Sequence, residues 1–195
     1  MALGNRLIVK QEIEAVEIFT GFETGNRYSV LDEQGRKLLY AYEDESNFIG
    51  KQFLGQHRSL DLHILDPNGQ EILSIHRSFY FLKSSAIIKD ANGQVFGHIK
   101  QRKWLGNKQF DFISADGEVL FSCISKLPHI WTFKVFMNGQ EVAQILKQWG
   151  GSGKEVFTDA DSFNIEISNI RDESMKYAIL ITAFIIDLRV FERRS

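Results

Sequence analysis

The chain has 195 residues, 44% of them hydrophobic and 16 of them phenylalanine, which suits one domain with a large, aromatic-rich core. Its formal net charge of -2 excludes a global electrostatic attraction to nucleic acid or anionic lipid, so any such contact must come from a local patch. The single cysteine, Cys123, excludes an internal disulfide framework and any CxxC metal knuckle. Residues 1–19 contain no long apolar run of the kind found in secretory signals. We therefore expect one domain over residues 1–195, in a reducing, cytoplasmic compartment and without a nucleic-acid partner.

Five similar units follow one another through the middle of the chain, each with an alternating run, a turn that ends in glycine, and a second alternating run. The turn glycines are Gly35, Gly69, Gly93, Gly117 and Gly139. Five hairpins give ten strands, and alternating segments within residues 6–19 and 162–168 bring the total to about twelve. Consecutive hairpins favour an up-and-down antiparallel sheet, and closure into a barrel removes its exposed edges.

The C-terminal segment from Glu173 is the first with a helical composition. Ser174 is a candidate N-cap residue, and Tyr177 to Ile186 are all apolar or aromatic except Thr182. A helix without a polar face is buried in protein or in a membrane. A membrane-spanning helix needs about 20 apolar residues, and this run is shorter, so we expect a helix threaded through the barrel. The predicted fold is mainly β, a closed antiparallel barrel of about twelve strands around a central hydrophobic C-terminal α-helix.

Two segments near the C-terminus carry a family resemblance: "LKQWGG…KEVFTDADSFNIEI" and the apolar helix that ends in Ile186-Asp187. Its most specific positions are Trp149, Phe157, Thr158, Asp159, Ala160, Asp161 and Phe163. Over about residues 26–192 the chain resembles the phospholipid scramblase family, which belongs with the tubby-like and LURP-one-related barrels. The resemblance implies a tubby C-terminal-like barrel around a helix, a lipid-related function at the inner face of a membrane, and calcium as an activator. The family's cysteine cluster for palmitoylation is absent from residues 76–85.

Asp159 and Asp161 occupy the first and third places of a calcium-loop pattern. The fifth place holds Phe163 and the twelfth holds Ile170, where the pattern requires a bidentate acid. Two carboxylates, assisted by the backbone carbonyls of Phe163 and Ile165 and by water, would form a weak calcium site. The alternative is that the two aspartates shape a turn into the strand that follows.

A second candidate site is the basic segment "HIKQRKWLGNK" at residues 98–108. It concentrates Lys100, Arg102, Lys103 and Lys108 around Trp104. Basic residues are attracted to anionic lipid, and tryptophan prefers the membrane interface. The segment therefore predicts contact with a phospholipid membrane surface, and the alternative is a solvated strand edge with a packed tryptophan.

Enzyme signatures are missing from the sequence, which contains no GxSxG elbow and no histidine pair at helical ligand spacing. Cys123 lies in an apolar strand pattern and is interpreted as a buried hydrophobe rather than a nucleophile. We expect a protein that is not an enzyme. Two functions remain open. The first is a lipid-related activity of the scramblase family at the inner membrane face, including calcium-dependent phospholipid scrambling. The second is a soluble module that recognises lipid headgroups or a protein partner without transport.

Overall fold

The computed structural model describes residues 2–12, 24–44, 59–77, 85–103, 105–148 and 162–191. Most of these residues lie in twelve strands. The strands are β1 (Arg6–Gln11), β2 (Thr24–Leu31), β3 (Lys37–Asp44), β4 (Leu60–Leu65), β5 (Glu71–Arg77), β6 (Ser85–Asp90), β7 (Val95–Lys103), β8 (Lys108–Ser114), β9 (Val119–Ser125), β10 (Thr132–Met137), β11 (Gln140–Gln148) and β12 (Ser162–Glu166).

The twelve strands form one closed antiparallel barrel in which each strand pairs with its neighbours in sequence. Closure is made by β1, which pairs with β2 on one side and with β12 on the other. The register at the closing seam places Leu7 opposite Ile165 and Val9 opposite Phe163, so both strands send apolar side chains into the same interior. The predicted barrel of about twelve strands is confirmed.

The two ends of the barrel differ. At one end, here called the turn end, β2–β3, β4–β5, β6–β7, β8–β9 and β10–β11 are joined by tight turns. The turn glycines have positive φ, for example 80° at Gly69 and 78° at Gly139, which glycine adopts without a steric penalty. At the opposite end, here called the loop end, lie the C-terminal ends of all odd-numbered strands. The described connections at the loop end are residues 105–107, between β7 and β8, and residues 126–131, between β9 and β10.

A helix, α1 (Glu173–Ile186), follows β12 and continues as a π-helical turn, Asp187–Phe191. Its N-cap is Asp172, whose carboxylate accepts the backbone N–H groups of Ser174 at 2.8 Å and Met175 at 3.4 Å. The expectation that Ser174 is the cap is therefore wrong. The carboxylate of Asp172 already accepts the orphan N–H groups of the first turn, so the helix begins earlier and Ser174 lies inside it.

The helix runs through the barrel from the turn end to the loop end. Every side chain from Ala178 to Ile186 is buried, so this part of the helix has no solvent-facing side. Contacts come from strands on different sides of the barrel: Phe184 packs on Tyr28 of β2, and Phe191 packs on Phe133 of β10. The one polar side chain in that run, Thr182, donates its hydroxyl to the carbonyl of Ala178. In the described part of the chain, α1 does not reach the length and apolarity of a membrane span.

The core is tightly packed around β7–β9. Phe112 stacks on Phe121 with ring centroids 5.3 Å apart, and Cys123 is fully buried, as the sequence predicts. Gly97 faces the Phe112 ring, and a Cβ atom built there would lie 2.7 Å from Phe112 Cζ and 2.8 Å from the Ile113 carbonyl oxygen. Glycine at position 97 is therefore a packing requirement, not a turn requirement.

Candidate functional site

The basic residues predicted from the sequence separate into two groups around the β7–β8 connection. Lys100 and Arg102 are exposed and alternate with the buried residues Ile99 and Gln101, so they lie on the outer wall of the barrel. Lys103, at the last position of β7, is exposed, and Lys108 is half-buried at the start of β8. The position of Trp104 lies outside the described residues.

Arg102 forms an ion pair on the outer wall of the barrel, although its side chain is 48% exposed. Its Nε donates to Asp111 Oδ2 at 2.7 Å, and the same carboxylate accepts from Gln109 at 3.0 Å and Ser122 at 2.8 Å. Burial raises the pKa of Asp111, but the hydrogen bonds from Gln109, Ser122 and Arg102 outweigh it and hold the pKa below its ordinary value. A membrane surface therefore has to compete with an existing carboxylate for Arg102.

Lys108 belongs to the inner rim of the loop end. It lies opposite Ser125 in the β8–β9 ladder, on the face that buries Phe110 two residues later. Burial, followed by repulsion from Arg189, lowers the pKa of Lys108 below its ordinary value. Arg189 comes from the π-helical turn, where its Nε donates to Gln101 Oε1 at 3.1 Å. The structure thus adds Arg189 to the cations of the predicted patch.

Two leucines at the loop end are strongly exposed. Leu105 is 73% exposed on the β7–β8 connection, and Leu127 is 62% exposed on the β9–β10 connection. The two connections meet, because the backbone N–H of Leu127 donates to Asn107 Oδ1 at 3.3 Å. Sequence reasoning missed Leu127. The predicted up-and-down strand order could have indicated it, because successive connections at one end of such a barrel are neighbours.

A polar layer lies inside the barrel at the loop end, and it was also missed. In each described odd-numbered strand, the last inward side chain is polar, whereas the buried inward positions before it hold apolar residues or glycine. These residues are Gln11, Glu43, Arg77, Gln101, Ser125 and Lys147. Asn26 connects two of them, because it accepts from Gln11 at 2.9 Å and donates to Glu43 at 2.8 Å.

The end of the helix is bound to this polar layer by a buried ion pair. Lys147 Nζ donates to Asp187 Oδ1 at 2.8 Å, and the Tyr28 hydroxyl donates to Asp187 Oδ2 at 2.8 Å. The Lys147 side chain is 1% exposed, and its ammonium lies 4.4 Å from the ring centroid of Phe163. A buried charge requires such partners, so the pair joins the helix end to β2 and β11.

The structure describes only some of the residues that were predicted to bind calcium. Asp159 and Asp161 lie outside the described residues. Phe163 and Ile165, whose carbonyls were expected to assist, lie in β12, a strand paired on both sides. Among the described residues, no cluster of three or more histidine, cysteine or acidic side chains has the geometry of a metal site. The calcium site stays a prediction.

Comparisons with known proteins agree with this fold. The family described as Scramblase matches residues 1–193. The chain is 31% identical to phospholipid scramblase 1 of Mus musculus, over 99% of this chain and 63% of that protein. It is 28% identical to phospholipid scramblase 2 of Bos taurus, over 96% of this chain and 69% of that protein.

The chain spans about three-fifths of the length of the first two relatives, which are mouse and rat phospholipid scramblase 1. A crystal structure of a protein from Arabidopsis thaliana superposes with a TM-score of 0.51 at 12% identity, over 95% of this chain and 94% of that one, which is a likeness of fold. Because the Scramblase family matches residues 1–193, nearly the whole chain, this chain belongs to the scramblase family.

Proposed function

We propose that this protein acts at a phospholipid membrane surface as a peripheral lipid-binding module, and that lipid does not pass through its barrel. Family membership and the names of its relatives, phospholipid scramblases, support the lipid-related part. The cations around the β7–β8 connection support attachment to an anionic leaflet, where each basic residue near the surface contributes about 1 kcal/mol. That leaflet is the cytoplasmic one in cells, so the proposed location is the inner membrane face.

The proposal that lipid does not pass through the barrel rests on one observation: the helix fills the interior. Six large apolar side chains of α1 are fully buried inside it. They are Ile179, Leu180, Ile181, Phe184, Ile185 and Ile186. Exposing a buried side chain of this size to water costs about 1.5–3 kcal/mol, so expelling the helix into water costs roughly 9–18 kcal/mol. That cost is comparable to the total stability of an ordinary domain, about 5–15 kcal/mol. A route for lipid through the barrel is therefore unfavourable unless the bilayer itself takes up the helix.

Phospholipid scrambling is the second candidate function, and the names of the relatives favour it. On this structure it requires release of α1 into the bilayer, or an action on lipid from outside the barrel. Calcium activation through Asp159 and Asp161 belongs to the same proposal. Isothermal titration with millimolar calcium tests it: heat that disappears in Asp159→Asn/Asp161→Asn supports the site, and no heat in the parent chain removes it.

Vesicle co-sedimentation tests the proposed function itself. The purified chain is expected to pellet with vesicles that contain phosphatidylserine and to remain in the supernatant with vesicles of phosphatidylcholine alone. Added salt should reduce pelleting, because the attraction between exposed cations and anionic headgroups is screened within a Debye length. Absence of pelleting with any anionic vesicle would contradict the proposal. On this proposal the protein is not an enzyme, since neither binding nor scrambling changes a covalent bond.

A further inference from the structure

We propose that Leu105 and Leu127, here called the leucine pair, enter the acyl boundary of an anionic phospholipid bilayer and orient the loop end of the barrel toward the membrane. This inference rests on the proposed membrane-surface function. It adds which end of the barrel faces the lipid and which side chains enter it.

The exposure of the leucine pair is unusual for this molecule. Leu105 and Leu127 are the most exposed large apolar side chains among the described residues, at 73% and 62%. The hydrogen bond from the Leu127 N–H to Asn107 Oδ1, 3.3 Å long, joins the two connections that carry them. Two exposed apolar side chains on neighbouring connections at one end of a barrel suit shallow insertion into a membrane interface.

The charge around the leucine pair matches an anionic surface. Lys103 is exposed just before the β7–β8 connection and Lys126 is exposed within the β9–β10 connection. Lys108 and Arg189 lie half-buried at the rim behind them. Residues 102–108 and 125–131 contain no aspartate or glutamate. The cations would therefore remain at the headgroup level, where each adds attraction, while the leucines reach the acyl boundary.

The connection that carries Leu127 also carries an aromatic ring that packs against the core. Trp131, at the end of the β9–β10 connection, is half-buried and stacks on Phe191 with ring centroids 5.2 Å apart. Tryptophan is enriched at membrane–water interfaces because its ring combines an apolar body with a polar N–H. Its contact with Phe191 places this ring directly at the C-terminal end of the buried helix.

A bilayer fits this surface better than a second copy of the chain. A symmetric dimer through the leucine pair would bring the same patch of each copy together. Lys103 and Lys126 would then lie near their own counterparts, and like charges at an interface are unfavourable. An anionic bilayer supplies the opposite charge and an apolar interior in one partner.

Single and double alanine variants of the leucine pair test the inference by vesicle partition. Each of Leu105→Ala and Leu127→Ala is expected to weaken partition about tenfold, and the double variant about a hundredfold, since each tenfold step corresponds to 1.4 kcal/mol. Val119→Ala is the matched control, because Val119 is 52% exposed but lies at the turn end. Unchanged urea midpoints show that the variants remain folded.

The outcomes separate the inference from the function on which it rests. If the parent chain does not bind anionic vesicles, the proposed function fails. If the parent binds and the double variant binds equally well, the leucine pair does not insert and the inference is overturned. Light scattering distinguishes a third outcome. If the parent is a dimer, the double variant is a monomer and vesicle partition is unchanged, the surface is a dimer interface and the inference is again overturned.

A fluorescent label reports insertion directly. Leu105→Cys, Leu127→Cys and the control Val119→Cys are each labelled with an environment-sensitive dye by a thiol reagent. Cys123 is fully buried and burial raises the pKa of its thiol, so the introduced cysteine reacts selectively. We expect a blue shift and quenching by brominated acyl chains at positions 105 and 127, and neither at 119. Equal signals at the three positions would overturn the assigned orientation.

Discussion

The buried pair between Lys147 and Asp187 gives the sharpest prediction about what fixes the helix in the barrel. Lys147→Met removes the ammonium but keeps most of the side-chain stem, so the carboxylate of Asp187 stays buried and loses its ion pair with Lys147. Removing one partner of a buried ion pair typically costs about 3–5 kcal/mol. For a chain of this size each kcal/mol lowers Tm by about 2–4 °C, so the variant should melt about 6–20 °C lower.

Urea unfolding of the parent chain, Lys147→Met, Asp187→Asn and the double variant measures the coupling between the two residues. Both single variants should lower the unfolding midpoint, and the double variant should be less destabilised than the sum of the singles. A surface pair supplies the matched control: Arg6 and Glu166 are 2.7 Å apart, but both side chains are 53% exposed. Their coupling should be at most about 1 kcal/mol.

A cost below about 1 kcal/mol for Lys147→Met would refute this reasoning, because a buried charge left without its counter-ion destabilises a protein by well more than that value. A coupling for Lys147 and Asp187 no larger than the coupling for Arg6 and Glu166 would refute it as well. Either result would mean that water reaches the pair and that the helix end is not fixed by it.

Three further variants test other parts of the structure. Gly97→Ala should lower the free energy of unfolding by about 1–3 kcal/mol, because its Cβ would overlap Phe112 and the Ile113 carbonyl; unchanged urea stability would contradict that packing. Asp111→Asn should be less stable than the parent at pH 5. Because the pKa of Asp111 is lowered in the folded state, the carboxylate stabilises the fold above the ordinary pKa of 3.8, and this stabilisation is lost as the pH falls through the folded-state pKa. The urea midpoints of the parent and Asp111→Asn should therefore converge at that low pH. A difference that stays constant with pH would exclude a stabilising role for the ionised carboxylate. Asp172→Ala should destabilise the chain by about 1 kcal/mol, whereas Ser174→Ala should have little effect; the reverse order in thermal unfolding would restore Ser174 as the cap.

The barrel and its helix were predictable because each strand and the helix have a characteristic local sequence pattern. Alternating strands separated by turns that end in glycine gave the strand count, and ten successive residues from Tyr177 with a single polar member gave the buried helix. The predicted N-cap, Ser174, lies close in sequence to the observed N-cap, Asp172, and the error has a physical cause. Asp172 and Ser174 are both good caps, and only the backbone geometry, with φ -75° and ψ 118° at Asp172, decides between them.

The candidate site was only partly predictable, because its parts come together through the closed barrel. Lys147 and Asp187 are far apart in sequence, and nothing local shows that a lysine at the end of β11 points inward at a helix end. A pattern was nevertheless present: in Leu39-Ala41-Glu43 of β3, two inward apolar residues are followed by a polar one. The other odd-numbered strands have the same order, with Gly97 as one of the two in β7. Leu127 gave no periodic signal of its exposure, because it lies in a connection and not in a strand.

The most direct measurement is dithionite reduction of fluorescent phospholipid in phosphatidylserine vesicles, at a protein concentration where co-sedimentation shows the vesicles to be saturated. With the helix retained in the barrel, the bound protein should leave the inner leaflet protected, so that only about half of the fluorescence is lost, with or without calcium, as expected for a bound amphipathic surface that does not span the bilayer. Loss of nearly all the fluorescence in vesicles that remain sealed would show that lipid crosses the bilayer, and would contradict a purely peripheral role.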